Sequence, residues 1–202
     1  MFKSNNKNEI FFVDGAEQVL SDSHCDALTS AAAHFLDVFD VSHEVDDYIS
    51  KRSELQKMSS NARAWHYPPS YDRDHSIVCV YVDPESKIEK MIQSLAHEVI
   101  HVWQVERGDF VNMFWKGRDL TNLPYHLQPW EIEAHGAMDQ VADTFFKDKN
   151  LSIAEKAEIM RKTDTAFNEI EKMVKFNLSK QKIGQILKAA GVLGLGLILG
   201  GA

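Results

Sequence analysis

His97, Glu98 and His101 lie in the segment Ala96-His97-Glu98-Val99-Ile100-His101-Val102-Trp103. The pattern is His-Glu-x-x-His. Positions four apart on a helix share a face, so both imidazoles can reach one tetrahedral metal ion. Glu98 lies one step round the helix. Its carboxylate can hydrogen-bond a metal-held water, act as general base, and later pass the proton to a leaving amine. A shuffled chain of this composition would contain the pattern about 0.03 times. The flanking positions are uncharged, as a dry site requires.

A hydrolytic metal centre also needs a third protein ligand and an open position for water. Downstream candidates are His126, Glu131, Glu133 and His135. On a helical wheel Glu131 shares a stripe with Ala134, Met138, Ala142 and Phe145, within about 60°. A carboxylate on that apolar stripe is costly unless a cation holds it. Glu131 is therefore the first choice. His135, about 40° away, is read as a hydrogen-bonding support for a ligand, or as the ligand itself. Glu133 falls on the other side, near 200°, and is read as a solvated helix charge.

Helices must position these groups. Met91, Ile92, Leu95, Val99 and Val102 repeat at helical spacing, while Gln93, His97, His101 and Gln104 share a separate polar stripe. The expected helix opens at Asp83-Pro84-Glu85, with Asp83 as N-cap, and closes at Arg107-Gly108. A second helix starts at Gln128-Pro129 and runs to about Lys147. A third pattern covers roughly 152 to 177, and residues 23 to 39 form an earlier amphipathic helix. Ile77 to Val82 is the clearest strand, with both faces covered. Ile10 to Val13 and Ala62 to Tyr67 are further strand candidates, and residues 109 to 128 read as a long aromatic loop. Trp103, Phe110, Phe114, Trp115 and Trp130 wall the site or fill core.

His97-Glu98-x-x-His101, followed about thirty residues later by Glu131-Ile132-Glu133-Ala134-His135, resembles the gluzincin metallopeptidases. It is most similar to their small single-domain forms, including those of phages and mobile elements. The likeness covers residues 60 to 147. It implies an α+β, zincin-like fold: a small antiparallel or mixed sheet packed on an active-site helix and a second, ligand-bearing helix, with an extra C-terminal helix. It implies Zn2+ held by His97, His101 and Glu131, with Glu98 as base. His135 takes the place usually held by Asp or Asn beside the ligands. Tyr125 and His126, just before the second helix, are candidates to stabilise the oxyanion. An edge strand before the metal helix would bind an extended peptide or protein substrate, and Ile77 to Val82 is that strand or its neighbour.

The chain has 202 residues and a net charge of −8. That sign argues against a phosphate-backbone binder, so no nucleic-acid partner is expected, and a nucleic-acid-linked metallopeptidase with three His ligands is disfavoured. Cys25 and Cys79 are expected to be buried small side chains rather than a disulfide framework. The start lacks the apolar run of a secretory signal, so a cytoplasmic setting is expected (the host's, if the chain is viral). The expected organisation is a flexible segment 1–8, a metallopeptidase domain 9–150, a helical extension 151–182 and an apolar, Gly-rich tail 183–202. The tail carries one charge, Lys188, and invites a membrane or protein partner. The competing reading is a zinc-binding structural or interaction protein, such as a phage accessory or virion component, that acts through this tail.

Overall fold

The computed structural model describes residues 9–13, 16–42, 44–51, 64–68, 75–82, 86–111 and 114–175. Segment 1–8, the Asp83–Glu85 signal and tail 183–202 lie outside them. The architecture is α+β. Four strands, β1 (Glu9–Val13), β2 (Val45–Lys51), β3 (Ala64–Tyr67) and β4 (Ser76–Val82), form one sheet in the order β1-β2-β4-β3. The first three neighbours are parallel and β3 is antiparallel, so the sheet is mixed. β4 is paired on both sides, and β3 is the edge next to it. Val78 and Val80 are buried while Ile77, Cys79 and Tyr81 are half-buried, so only one face of β4 is fully covered. Cys25 and Cys79 are both half-buried, less enclosed than their type predicts.

The covered face meets helices. A short α1 (Ala16–Val19) leads to α2 (Asp22–Val38), whose N-cap Ser21 accepts from the His24 amide at 3.3 Å. Leu28, Phe35 and Leu36 of α2 join Val45, Ile49, Val78 and Val80 of the sheet in one core. The same core takes Ile92, Leu95, Val99 and Val102 from α3 (Ile88–Glu106). This helix starts at Ile88 rather than at Asp83-Pro84. Its N-cap, Lys87, has extended backbone and supplies no side-chain bond. Burial decides the start: each buried Leu or Ile contributes roughly 1.5–3 kcal/mol, whereas a cap contributes about 1. The C-terminus falls as expected, with Arg107 as C-cap and Gly108 at φ +73°.

The segment after α3 is not a plain loop. It contains β5 (Phe110–Val111), β6 (Phe114–Trp115) and β7 (Arg118–Asp119), a small antiparallel sheet, and a 3-10 turn at Tyr125–Leu127. Phe110, Trp115 and Trp130 pack together, which gives two-residue strands enough apolar cover to hold a register. Pro129 then opens α4 (Pro129–Phe146), and α5 (Ile153–Lys175) packs on α4 through Ile159, Ala166 and Ile170. No helix among the described residues is long and apolar enough to cross a membrane.

One buried group conflicts with the core. Asp47 of β2 is 0% exposed, and neither carboxylate oxygen has a hydrogen-bond partner. Burial, helped by the neighbouring Asp46 charge, pushes its pKa up to about 7. The folded chain therefore holds this proton more tightly than the unfolded chain, and stability falls as pH rises from about 4 to 7. Above that window the cost is on the order of 4 kcal/mol. Asp47→Asn is expected to leave stability unchanged near pH 4 and to raise it by roughly 2–4 kcal/mol at pH 8. Urea denaturation at the two pH values checks this, and equal stability of the two proteins at pH 8 would refute it.

Candidate metal centre

α3 and α4 pack side by side, and their facing residues make the centre. His97 and His101 are one turn apart on α3, both buried. Glu131 is in the first turn of α4, where the helix dipole favours a carboxylate, and it is buried too. His97 Nε2 lies 3.2 Å from His101 Nε2 and 3.3 Å from Glu131 Oε2. His101 Nε2 lies 3.5 Å from Glu131 Oε1. With bonds of about 2.0–2.1 Å, two ligands of a tetrahedral zinc are about 3.3–3.4 Å apart. The ring–ring separation and that from His97 to Oε2 match that edge, and His101 meets the other oxygen of the same carboxylate close to it. Glu131 Oε2 is buried and, at its 3.3 Å from His97, forms no hydrogen bond. Two imidazole nitrogens facing one carboxylate at these distances make a donor set that fits zinc.

The tautomer of His101 is fixed from behind. Gln104 is fully buried, and its Nε2 donates to the Trp130 carbonyl and to Glu133 Oε2, both at 2.9 Å. That occupies both amide protons, so the Gln104 Oε1 at 2.8 Å from His101 Nδ1 must accept. Nδ1 therefore carries a proton that stays in place, and Nε2 is the nitrogen that would bind a metal once it is deprotonated. Arg107 closes the chain of bonds: its Nη2 donates to Glu133 Oε2 at 2.6 Å, pairs with Asp109 at 2.8 Å, and stacks 4.0 Å over Trp103.

Glu133 is thus not a solvated charge. It is 2% exposed, held between α3 and α4, and lines a small cavity with Ile159 and Thr163 of α5. The helical wheel places it correctly opposite Glu131, but α5 covers that side as well. Glu133→Ala is expected to destabilise the fold by about 2–4 kcal/mol, because Arg107 loses its most buried partner and keeps only Asp109, and Gln104 loses an acceptor. Gln104→Leu keeps that pair and releases His101, so it is expected to weaken zinc about 10–100-fold at a smaller cost in stability. Thermal melts with a chelator-competition titration separate the two effects. Undiminished zinc affinity in Gln104→Leu would refute the assignment.

Burial works against the charged form of His101, but Glu131 and Glu98 outweigh it and push its pKa up to about 9. His97 goes the other way, lowered mainly by burial. Burial alone would raise Glu131, yet His101 and His97 hold it well below the usual carboxylate range. Glu98, also buried, is pushed up to about 8 by desolvation. A dication would reverse the pressure on Glu98 and favour its carboxylate.

Compared with protein-family models, curated proteins and solved structures, the chain matches none.

The remaining sequence candidates divide. Tyr125 sits on the 3-10 turn with its ring largely exposed, yet burial of its hydroxyl end and the charges of Glu131 and Glu98 raise its pKa far above the ordinary phenol value. Its hydroxyl therefore stays protonated, and its ring stands beside that of His135 at the edge of the centre. His126, on the same turn, takes part in none of the hydrogen bonds, ion pairs or ring contacts among the described residues. His135 is close: its ring centroid is 4.4 Å from that of His97 and 6.2 Å from that of Tyr125. Trp103 stacks on Phe39 at 4.5 Å and fills core, as Phe110, Trp115 and Trp130 do in their own cluster, while Phe114 is exposed. Gln104 and Arg107 went unassigned in the sequence. The only signal was Gln104's place on the polar stripe with the histidines.

Proposed function

We propose that the chain is a zinc-dependent metallopeptidase of the gluzincin type, with a zincin-like arrangement of sheet and helices. The observation that carries this reading is the convergence of His97, His101 and Glu131 at tetrahedral ligand spacing, beside a buried Glu98. Zinc bound there would polarise a peptide carbonyl and make water a nucleophile near neutral pH. The chain's own groups do the rest. Glu98 takes the proton of the attacking water and returns it to the leaving amine. Tyr125, kept protonated, donates a hydrogen bond where negative charge develops on the carbonyl oxygen. Gln104 and Glu133 hold His101 in register. The sheet edge at β3 offers backbone groups to an extended peptide.

Metal analysis of the purified protein, with hydrolysis of a peptide library before and after chelation, tests the proposal. One bound zinc and cleavage that a chelator abolishes and zinc restores are expected. Zinc without cleavage of any library member supports the second reading, a non-catalytic zinc-binding interaction protein. That reading is favoured by one observation: donor atoms of His97, Glu131 and His135 also lie within 4.8 Å of one another.

A further inference from the structure

Resting on the metallopeptidase reading, we propose that His135 is a fourth protein ligand at this centre. It closes the loaded site at rest and leaves when water must enter. Two residues one turn apart on α4, Glu131 and His135, share a face. His135 Nε2 is 4.0 Å from Glu131 Oε2. That is too long for a hydrogen bond, so His135 does not steady the carboxylate as a supporting residue would. That one edge is about 0.6–0.7 Å beyond a tetrahedral ligand–ligand edge, and the donor atoms of His97, Glu131 and His135 lie within 4.8 Å of one another, so the ring must turn inward to bind.

The four donors differ in exposure and anchoring. His97, His101 and Glu131 each have a side chain 8% exposed, whereas that of His135 is 38% exposed. His101 is anchored by Gln104 at 2.8 Å. His135 makes no hydrogen bond among the described residues; its ring lies beside those of His97 and Tyr125, and its Nε2 is 4.0 Å from Glu131 Oε2. No hydrogen bond among the described residues therefore ties its ring to one position. With His135 bound, four protein donors fill a tetrahedral zinc and no position is left for water, the pattern of a structural site. With His135 swung outward, three donors and an open position are left, the pattern of a hydrolytic one. One centre thus accommodates both of the functional readings above, in two states.

X-ray absorption at the zinc edge on the full-length, zinc-loaded protein counts the imidazoles. Three are expected in the wild type and two in His135→Ala, with zinc affinity lower in the variant by at least about 100-fold by chelator competition, beyond the loss a supporting residue gives. Hydrolysis per bound zinc is expected to rise in the variant, since the closed state is gone. His135→Asn, which keeps a polar group at this half-exposed position, is expected to behave the same way and controls for folding. Two imidazoles in both proteins would overturn the inference and leave the three-ligand centre standing. Three in both would place the third ring elsewhere and overturn it as well. Failure of the wild type to bind zinc would overturn the inference together with the reading beneath it.

Discussion

Glu98→Gln is expected to keep zinc and lose peptide hydrolysis by about 10²–10⁴-fold in kcat, the range a positioned general base supplies. The side chain is buried on α3 between the two histidines, and its carboxylate feels both His101 and Glu131. Gln has the same shape and cannot accept a proton, so ligand spacing is kept while the base is removed. The substitution also replaces a carboxyl whose ionisation burial opposes, with a pKa pushed up to about 8. Above that pH the metal-free variant is therefore expected to be at least as stable as the wild type. A folded, zinc-replete protein with lost turnover is the signature of a base. Turnover within threefold of the wild type at matched zinc content would remove Glu98 from the chemistry and leave a binding site only.

The readable part of this centre was the part built by one helix at a time. His97, Glu98 and His101 are set by a single periodicity on α3, and the apolar positions between them show which face points inward. Glu131 followed from phase alone, because a carboxylate on an apolar stripe needs a reason. What could not be read depends on a third partner. Glu133 sits opposite Glu131 as the wheel requires, yet Arg107, Gln104 and α5 enclose it, and nothing local to α4 announces them. Gln104 finds its acceptors 26 and 29 residues away, at Trp130 and Glu133. The start of α3 differs for a related reason: Asp83-Pro84 is a strong local signal, but the helix begins where Ile88, Met91 and Ile92 meet the core. The strands β5 to β7 are two residues long, too short to carry a period, and become visible only through the packing of Phe110, Trp115 and Trp130.

Glu131→Ala is expected to abolish stable zinc binding, with a loss well beyond the roughly 10–100-fold typical of removing a supporting residue. In the metal-free protein it should leave a pH signature as well. Glu131 is the main opposing influence to burial at His101, whose pKa it helps push up to about 9, and the histidines in turn hold Glu131 low. The carboxylate's share of this stability is present above its ordinary pKa near 4.5 and is lost as pH falls through the depressed folded value. The His101 share is complete below about 6.5 and is lost as pH rises through about 9. The metal-free variant should therefore lose most stability around pH 6 and approach the wild type near pH 10. Zinc must displace the His101 proton, so wild-type affinity should rise with pH up to the same limit. Glu133→Ala separates the two acids: its loss comes from removing the most buried partner of Arg107, which stays charged across this whole range, so it should persist at both pH values. Denaturation of the two variants and the wild type at pH 6 and pH 10, with zinc content measured alongside, decides the matter. If Glu131→Ala kept full zinc, or lost stability equally at both pH values, the carboxylate would not be the group that draws the two rings to a common ion.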